Sequence, residues 1–120
     1  MGVTTYGPEV TREGAEAGRA FYALYCTSCH GASATGDGPL AGDLPVPPSD
    51  LTQLANRYGA FPWSRVMAQV HGYTGRNEVM PEYQTVLDGP KVMWRDETGA
   101  RVETPLVLVQ VAQYLAAIQD

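Results

Sequence analysis

The clearest periodic pattern of apolar residues lies near the end of the chain. Apolar residues recur there at spacings of three and four, at Leu108, Val111, Leu115 and Ile118. This is the period of one buried face of an α-helix. Thr104 and Pro105 precede this pattern, and these residue types favour an N-cap followed by the first helical position. We therefore predict a final helix that begins at Pro105 and runs almost to the C-terminus.

A four-residue spacing marks another helix near the start of the chain. Gly18, Tyr22 and Cys26 share one helical face, and Thr11 is a suitable N-cap, so we predict a helix from Thr11 towards Tyr25. Glycine destabilises a helix by about 1 kcal/mol relative to alanine. Gly18 therefore indicates the close approach of another element.

Two shorter helices are expected in the middle of the chain. Asp50 followed by Gln53 is the pattern of a capping box and predicts a short helix through about Tyr58. Pro62 begins a further helix, which we expect to end near Gly72. The apolar face of this second helix consists of Trp63, Val66, Met67 and Val70.

The remaining segments are predicted to form loops and one small hairpin. Residues 31–48, GASATGDGPLAGDLPVPP, are rich in glycine and proline and show no helical or strand period. Because a small domain rarely carries so long a loop without a purpose, we expect this segment to wrap another group. Residues 92–103 predict a small β-hairpin that turns near Thr98 and Gly99.

Length and charge narrow the possible functions. A chain of 120 residues suits one domain with a small core, so we predict a single domain over residues 1–120. The formal net charge is −5 and the basic residues are scattered, which argues against a nucleic-acid partner. No run of about 18 apolar residues predicts a membrane span, and the first residues lack the pattern of a signal peptide.

Both cysteines of the chain lie in the motif CTSCH. Three interpretations of its function are open: a redox pair, a zinc site and a haem attachment site. A redox pair normally stands at a helix N-terminus after a strand, whereas this motif follows a predicted helix and leads into a glycine-rich loop. A structural zinc needs four ligands. Cys29 and His30 are adjacent and do not easily reach one tetrahedral ion together, and the remaining candidate, His71, is distant in the sequence.

The third interpretation is covalent attachment of haem, for which Cys-x-x-Cys-His is the known signal. Cys26 and Cys29 would add to the two vinyl groups of the porphyrin, and His30 would be the proximal iron ligand. The loop at residues 31–48 would then cover the proximal side. In that loop the backbone carbonyl of Pro39 would accept a hydrogen bond from Nδ1 of His30 and fix its tautomer.

Four side chains are candidates for the sixth iron ligand. Met67 lies on an apolar helix face and is typical of a core residue, His71 ends the same helix, and Met93 lies in the predicted hairpin. Met80 stands in a turn-rich loop directly before a proline. An extended loop lets a thioether reach the distal face, so we predict Met80 as the ligand.

These residues resemble the class I, mono-haem c-type cytochromes of the bacterial periplasmic type, over nearly the whole chain. The resemblance rests on the attachment motif, on Gly38-Pro39-Leu40, on Met80-Pro81, and on the last-helix residues Val111 and Tyr114. It implies an all-α cytochrome c fold in which the first and last helices cross. Short helices and Gly/Pro-rich loops would surround one haem c per chain, with His30 and Met80 as iron ligands.

The resemblance further implies a one-electron carrier that is not an enzyme. Such a protein would be an exported, periplasmic monomer whose signal peptide has been removed, and its acidic charge would favour redox partners with basic docking surfaces. Two departures from the family are the presence of a single lysine, Lys91, and the long segment at residues 82–103. Alternative functions are an electron-entry subunit of a periplasmic dehydrogenase or oxidase complex, and a haem-based gas or redox sensor domain.

Overall fold

The computed structural model describes residues 5–71, 83 and 86–120. Within these ranges the α-helices are α1 (Arg12–Tyr25), α2 (Thr27–His30), α3 (Leu54–Tyr58), α4 (Trp63–His71) and α5 (Leu106–Ala117). The strands are β1 (Thr5–Tyr6), β2 (Lys91–Arg95) and β3 (Arg101–Pro105). Two short 3-10 turns span Ala41–Asp43 and Leu51–Gln53.

Helices α1 and α5 cross, and Gly18 lies at the point of closest approach. A Cβ atom built on Gly18 would overlap the carbonyl oxygen of Gln110 and lie 2.9 Å from Cβ of Tyr114. One turn further along α1, the rings of Tyr22 and Tyr114 have centroids 5.3 Å apart. The prediction that Gly18 permits close approach is therefore confirmed, as is the predicted crossing of the first and last helices.

The predicted boundaries of α1 and the predicted start of α4 agree with the structure. Thr11 is the N-cap of α1, where its side chain accepts a hydrogen bond from the backbone amide of Gly14 at 3.0 Å. Helix α4 is described as far as His71, and its expected stop near Gly72 lies outside the described residues. Its buried residues are the predicted four, Trp63, Val66, Met67 and Val70.

The turn that begins at Asp50 is capped differently from the prediction. Oδ1 of Asp50 accepts from the backbone amide of Thr52 at 3.0 Å, which confirms Asp50 as the cap of the turn at residues 51–53. The side chain of Gln53 instead donates to Oδ2 of Asp120 at 3.0 Å. The predicted cap is therefore present, while Gln53 serves to hold the C-terminal residue.

A three-stranded sheet accompanies the helices, so the all-α prediction is only partly confirmed. Strand β2 is central, with β1 parallel to it on one side and β3 antiparallel to it on the other. The hairpin of β2 and β3 is the one predicted, and its turn contains Gly99 at φ +92°. Strand β1, which pairs Tyr6 with Trp94, was not predicted.

The predicted start of the last helix is wrong. Thr104 lies in β3, paired with Val92, and Pro105 is the last residue of the same strand. Helix α5 begins at Leu106, whose backbone amide donates to the carbonyl of Pro90 at 2.9 Å. Pairing with β2 therefore holds Thr104 and Pro105 in extended conformation, so Thr104 is not the cap, and Pro105 is the N-cap and not the first helical residue.

The sheet and the helices share one buried cluster of apolar side chains. Trp94 of β2 packs on Trp63 of α4 with ring centroids 5.7 Å apart, which joins the sheet to the helical layer. Met67 belongs to this cluster and is only 5% exposed, so its predicted place in the core is confirmed. Among the helices of the described ranges, none is long and apolar enough to cross a membrane.

Candidate functional site

The CTSCH motif forms one helical turn directly after α1. The amide of Cys26 donates to the carbonyl of Tyr22 at 2.9 Å and closes α1, and the amide of His30 donates to the carbonyl of Cys26 at 3.0 Å. Residues three and four apart on such a turn lie on the same side. Cys26, Cys29 and His30 are therefore carried by a single rigid piece of backbone.

The loop after the motif is hydrogen-bonded back onto this turn. Three loop amides donate to three consecutive carbonyls of the turn: Gly36 to His30 at 2.8 Å, Gly38 to Cys29 at 3.0 Å, and Leu40 to Ser28 at 2.8 Å. A Cβ atom at Gly38 would lie 2.6 Å from the carbonyl oxygen of Thr27, so glycine alone fits there. The glycine-rich sequence thus allows the loop to lie directly on the motif.

Tyr22 fixes the backbone where the chain leaves the motif. Its hydroxyl donates to the carbonyl of Gly31 at 2.5 Å, and its side chain is only 2% exposed. Burial raises the pKa of Tyr22 well above its ordinary value, and the neighbouring Cys26 adds to this effect. The hydroxyl is therefore protonated and remains a donor at any physiological pH.

His30 has one ring nitrogen held by the backbone. Nδ1 lies 3.0 Å from the carbonyl oxygen of Ser49. Burial lowers the pKa of His30, and the hydrogen bond to Ser49 opposes that shift. In the neutral ring that burial favours, a proton on Nδ1 is donated to Ser49 and the lone pair is on Nε2, which is the atom required for binding iron.

The acceptor at His30 differs from the expected one. We predicted the carbonyl of Pro39, and the structure places that of Ser49 there, so this prediction is wrong for the observed arrangement. Two contacts hold the Ser49 segment in place: Asp50 caps the following turn, and the amide of Leu51 donates to the carbonyl of Ala34 at 2.7 Å. A contact of Pro39 with a cofactor stays a prediction.

The two thiols are free for attachment, and that of Cys26 is poorly suited to thiolate chemistry. Neither forms a disulfide, and Cys26 is buried while Cys29 is half-buried. Burial, followed by the influence of Cys29, raises the pKa of Cys26 to about 12. A redox pair needs a thiolate near neutral pH, which this raised pKa disfavours. In the described part of the chain, moreover, no group of three or more His, Cys, Asp or Glu side chains is placed to hold a metal ion.

A large apolar cavity opens beside the motif. Its volume is about 470 Å³, within the range of about 300–1,000 Å³ that is usual for ligand sites. Cys26, Cys29 and His30 lie on one part of its wall. The facing helices α4 and α5 contribute Val66, Val70, Val111 and Leu115. The thiols, an imidazole and an apolar hollow therefore fit the covalently bound porphyrin that the sequence predicts.

The described candidates for a sixth ligand do not line this cavity. Met67 instead borders a separate hollow of about 220 Å³ between α4 and the hairpin. Met93 lies in β2, and His71 is the last residue of α4. Met80 and the following Pro81 lie outside the described residues, so the role of Met80 stays a prediction.

Tyr83 is a cavity residue that the sequence did not reveal. Its amide donates to the carbonyl of Val70 at 3.3 Å, and its hydroxyl donates to the carbonyl of Tyr25 at 2.9 Å. Burial is the main cause that raises the pKa of Tyr83 to about 12. The two hydrogen bonds fasten the chain on either side of the cavity, to α4 and to the end of α1.

Two arginines at the cavity were also missed. Arg57 of α3 and Arg65 of α4 both line it, and the guanidinium carbon of Arg65 lies 4.8 Å from the ring centre of Tyr58. In the sequence these arginines are eight residues apart, with a loop between the two helices. No sequence period therefore marks them as a pair, and only the packing of α3 and α4 brings them to one cavity.

Comparison with known proteins gives one match. A family model described as Cytochrome c matches residues 15–97, which is more than half of the chain and includes the CTSCH motif. No curated protein and no solved structure matches the chain.

Proposed function

The chain belongs to the cytochrome c family, and from this premise we propose that it is a class I, mono-haem electron carrier. Members of the family bind haem c covalently and take part in electron transfer, and this chain therefore carries haem and serves electron transfer. The observation that best supports a single-haem carrier is the placement of both thiols and His30 on one turn at the wall of one large apolar cavity.

Each group at the cavity has a distinct task in this proposal. The bound haem supplies one-electron chemistry through its iron. Cys26 and Cys29 tether the porphyrin by thioethers, and His30 binds iron through Nε2 while the carbonyl of Ser49 holds Nδ1. The apolar walls keep water from the group. Because the family consists generally of electron carriers, we propose that this chain converts no substrate.

We further propose Met80 as the sixth ligand. Val70 and Tyr83 both line the cavity and are joined by a backbone hydrogen bond, so the segment between them begins and ends at the cavity wall. Met80 precedes Tyr83 by three residues, a span of at most about 11 Å. The thioether of Met80 is therefore within reach of the cavity. Ligation by methionine and histidine raises the reduction potential of the haem iron relative to ligation by two histidines.

The proposed setting is outside the cytoplasm, in the bacterial periplasm, where family members of this type are matured. The net charge of −5 favours monomeric, transient encounters with redox partners that present basic surfaces. Electrostatic steering of this kind weakens as ionic strength rises, because salt screens exposed charges.

The testing experiment is an absorption spectrum of the oxidised and reduced holoprotein, with carbon monoxide added to the reduced form. A carrier is expected to give the sharp reduced spectrum of six-coordinate haem, retain haem after denaturation, and resist carbon monoxide. Ready binding of carbon monoxide would support the sensor function instead. Loss of haem on denaturation would contradict covalent attachment, and copurification with a catalytic polypeptide would favour the subunit function.

A further inference from the structure

The charges at the large cavity oppose the charge of the whole chain. The sequence has thirteen acidic and eight basic residues. Among the described residues that line the cavity, however, Arg57 and Arg65 are present and no Asp or Glu is found. Both arginines are exposed residues, so two permanent positive charges stand where this otherwise mainly apolar hollow meets solvent. Such an arrangement points to an anionic group inside it.

Among the described residues, no carboxylate is paired with either arginine. In the described ranges the ion pairs are Arg12 with Glu16 and Lys91 with Asp88, and both lie away from the cavity. The guanidinium of Arg65 lies instead over the ring of Tyr58. Stacking on an aromatic ring fixes the plane of a guanidinium and leaves its N–H groups at the edge available as donors.

We propose that Arg57 and Arg65 bind the two propionate carboxylates of the haem. This inference rests on the proposed function, since it requires haem in the cavity. A porphyrin is apolar except for these carboxylates, and burying a carboxylate is unfavourable unless a donor pairs with it. Arginine is suited to this task because its planar fork donates two parallel hydrogen bonds to a carboxylate.

The other titratable groups at the cavity do not compete for this role. They are the attachment residues Cys26, Cys29 and His30, and the tyrosines Tyr22, Tyr25, Tyr58 and Tyr83. The attachment residues are engaged by the haem, and a tyrosine offers one hydroxyl and no positive charge. Among the described residues that line the cavity, Arg57 and Arg65 are therefore the cationic groups available to the propionates.

The pairing has a consequence for the reduction potential. A propionate held by arginine stays ionised over the physiological pH range, so protons do not follow the electron and the potential is nearly independent of pH. Removing an arginine takes away a positive charge that disfavours the ferric state, which lowers the potential. It also lets the propionate gain a proton as pH falls. Because the ionised propionate stabilises ferric iron, the potential would then decrease as pH rises.

The test compares Arg57→Gln and Arg65→Gln with Arg19→Gln in the holoprotein. Arg19 is exposed on α1 and does not line the cavity, so the third variant carries the same change in net charge elsewhere. The midpoint potential of each is measured by redox titration from mildly acidic to mildly alkaline pH. We expect both cavity variants to have lower midpoint potentials than Arg19→Gln. Their midpoint potentials should also decrease as pH rises. Arg65→Lys should retain the potential more closely than Arg65→Gln.

Equal potentials in all three glutamine variants, without a new pH dependence, would overturn the inference. The reduced spectrum, recorded on the same samples, separates this result from failure of the proposed function. Covalent haem with unshifted potentials would contradict only the arginine assignment, whereas a chain without covalent haem would contradict both. A new pH dependence in Arg19→Gln as large as that in the cavity variants would also overturn the inference.

Discussion

Oε1 of Gln113 accepts two hydrogen bonds from Thr11, from the backbone amide at 2.7 Å and from the hydroxyl at 2.8 Å. Gln113 is 1% exposed whereas Thr11 is exposed, so this contact joins the buried side of α5 to the surface at the start of α1. The hydroxyl oxygen of Thr11 also accepts from the amide of Gly14. One buried glutamine therefore holds the N-cap of α1 and fastens it to α5.

The first prediction concerns this contact. Gln113→Leu removes the acceptor for the amide and hydroxyl of Thr11, and a typical hydrogen bond contributes about 0.5–1.5 kcal/mol net. We expect the free energy of unfolding to fall by at least that amount, as measured by denaturant titration. Gln110→Leu makes the same change on α5 at a residue whose side chain is not part of this contact. Equal losses in both variants would contradict the role of Gln113.

The second prediction concerns the crossing of α1 and α5. Gly18→Ala introduces a Cβ atom that overlaps the backbone carbonyl of Gln110, which cannot move without shifting α5. Despite the higher helix propensity of alanine, we expect a loss of about 1–3 kcal/mol in the free energy of unfolding. Gly42→Ala is the control, since a Cβ atom there meets nothing within 4 Å. A stabilising Gly18→Ala would show that the helices can separate freely.

The third prediction concerns the exit from the attachment turn. Tyr22→Phe deletes the hydroxyl that donates to the buried carbonyl of Gly31, and we expect a loss of about 1–3 kcal/mol in the stability of the holoprotein. Thermal unfolding followed at the haem absorbance measures this loss. Tyr25→Phe, at a residue that is 39% exposed, should change stability little. If the two variants were equally stable, the hydrogen bond of Tyr22 would have no net effect.

The fourth prediction concerns the sixth ligand. Met80→Ala is expected to abolish the weak near-infrared band of a thioether on ferric haem, to lower the potential, and to admit carbon monoxide to the reduced form. Met67→Leu is the matched control, because Met67 is buried beside the second hollow and a volume-conserving exchange is tolerated there. Persistence of the band in Met80→Ala would assign the thioether to another methionine.

The fifth prediction concerns the hairpin turn. Oδ1 of Asp96 accepts from the amide and hydroxyl of Thr98 and from the amide of Ala100. The hydrogen bond from the Thr98 hydroxyl is the main cause that lowers the pKa of Asp96. A lowered pKa in the folded state means that ionised Asp96 stabilises the fold at neutral pH. This contribution is lost as pH falls below about 4, through the folded-state pKa.

The measurement is the difference in unfolding free energy between the native chain and Asp96→Asn as a function of pH. It should be largest near neutral pH and shrink in acid, where a protonated Asp96 resembles asparagine. Glu103→Gln, on the exposed side of β3, controls for the change of charge. A difference for Asp96→Asn that is constant with pH would mean that its ionisation does not stabilise the turn.

Sequence periodicity predicted the helices because their buried faces are contiguous and long. A 3.6-residue period identified the four apolar residues of α4 and the glycine at the α1 crossing. The hairpin was readable from its turn residues. Strand β1 could not be predicted, because two residues, Thr5 and Tyr6, are too few to show any alternation.

The features that the sequence did not reveal depend on tertiary contacts. Thr104 and Pro105 have the residue types of a helix start, and pairing with β2 overrides that local preference. The acceptor for His30 is a backbone carbonyl, which every residue possesses, so residue type cannot distinguish Ser49 from Pro39. Arg57 and Arg65 come from different helices, and their shared cavity exists only after those helices pack.

The packing of α1 against α5 joins parts of the chain that are about one hundred residues apart, as the contact of Thr11 with Gln113 shows. Closing so long a loop has an entropic cost, and folds dominated by such distant contacts form slowly. Cys26 ends α1 and faces the cavity to which α5 contributes Val111 and Leu115. We therefore expect a porphyrin tethered at Cys26 to offer α5 an apolar surface on which to dock, so that cofactor attachment favours the folding of this chain.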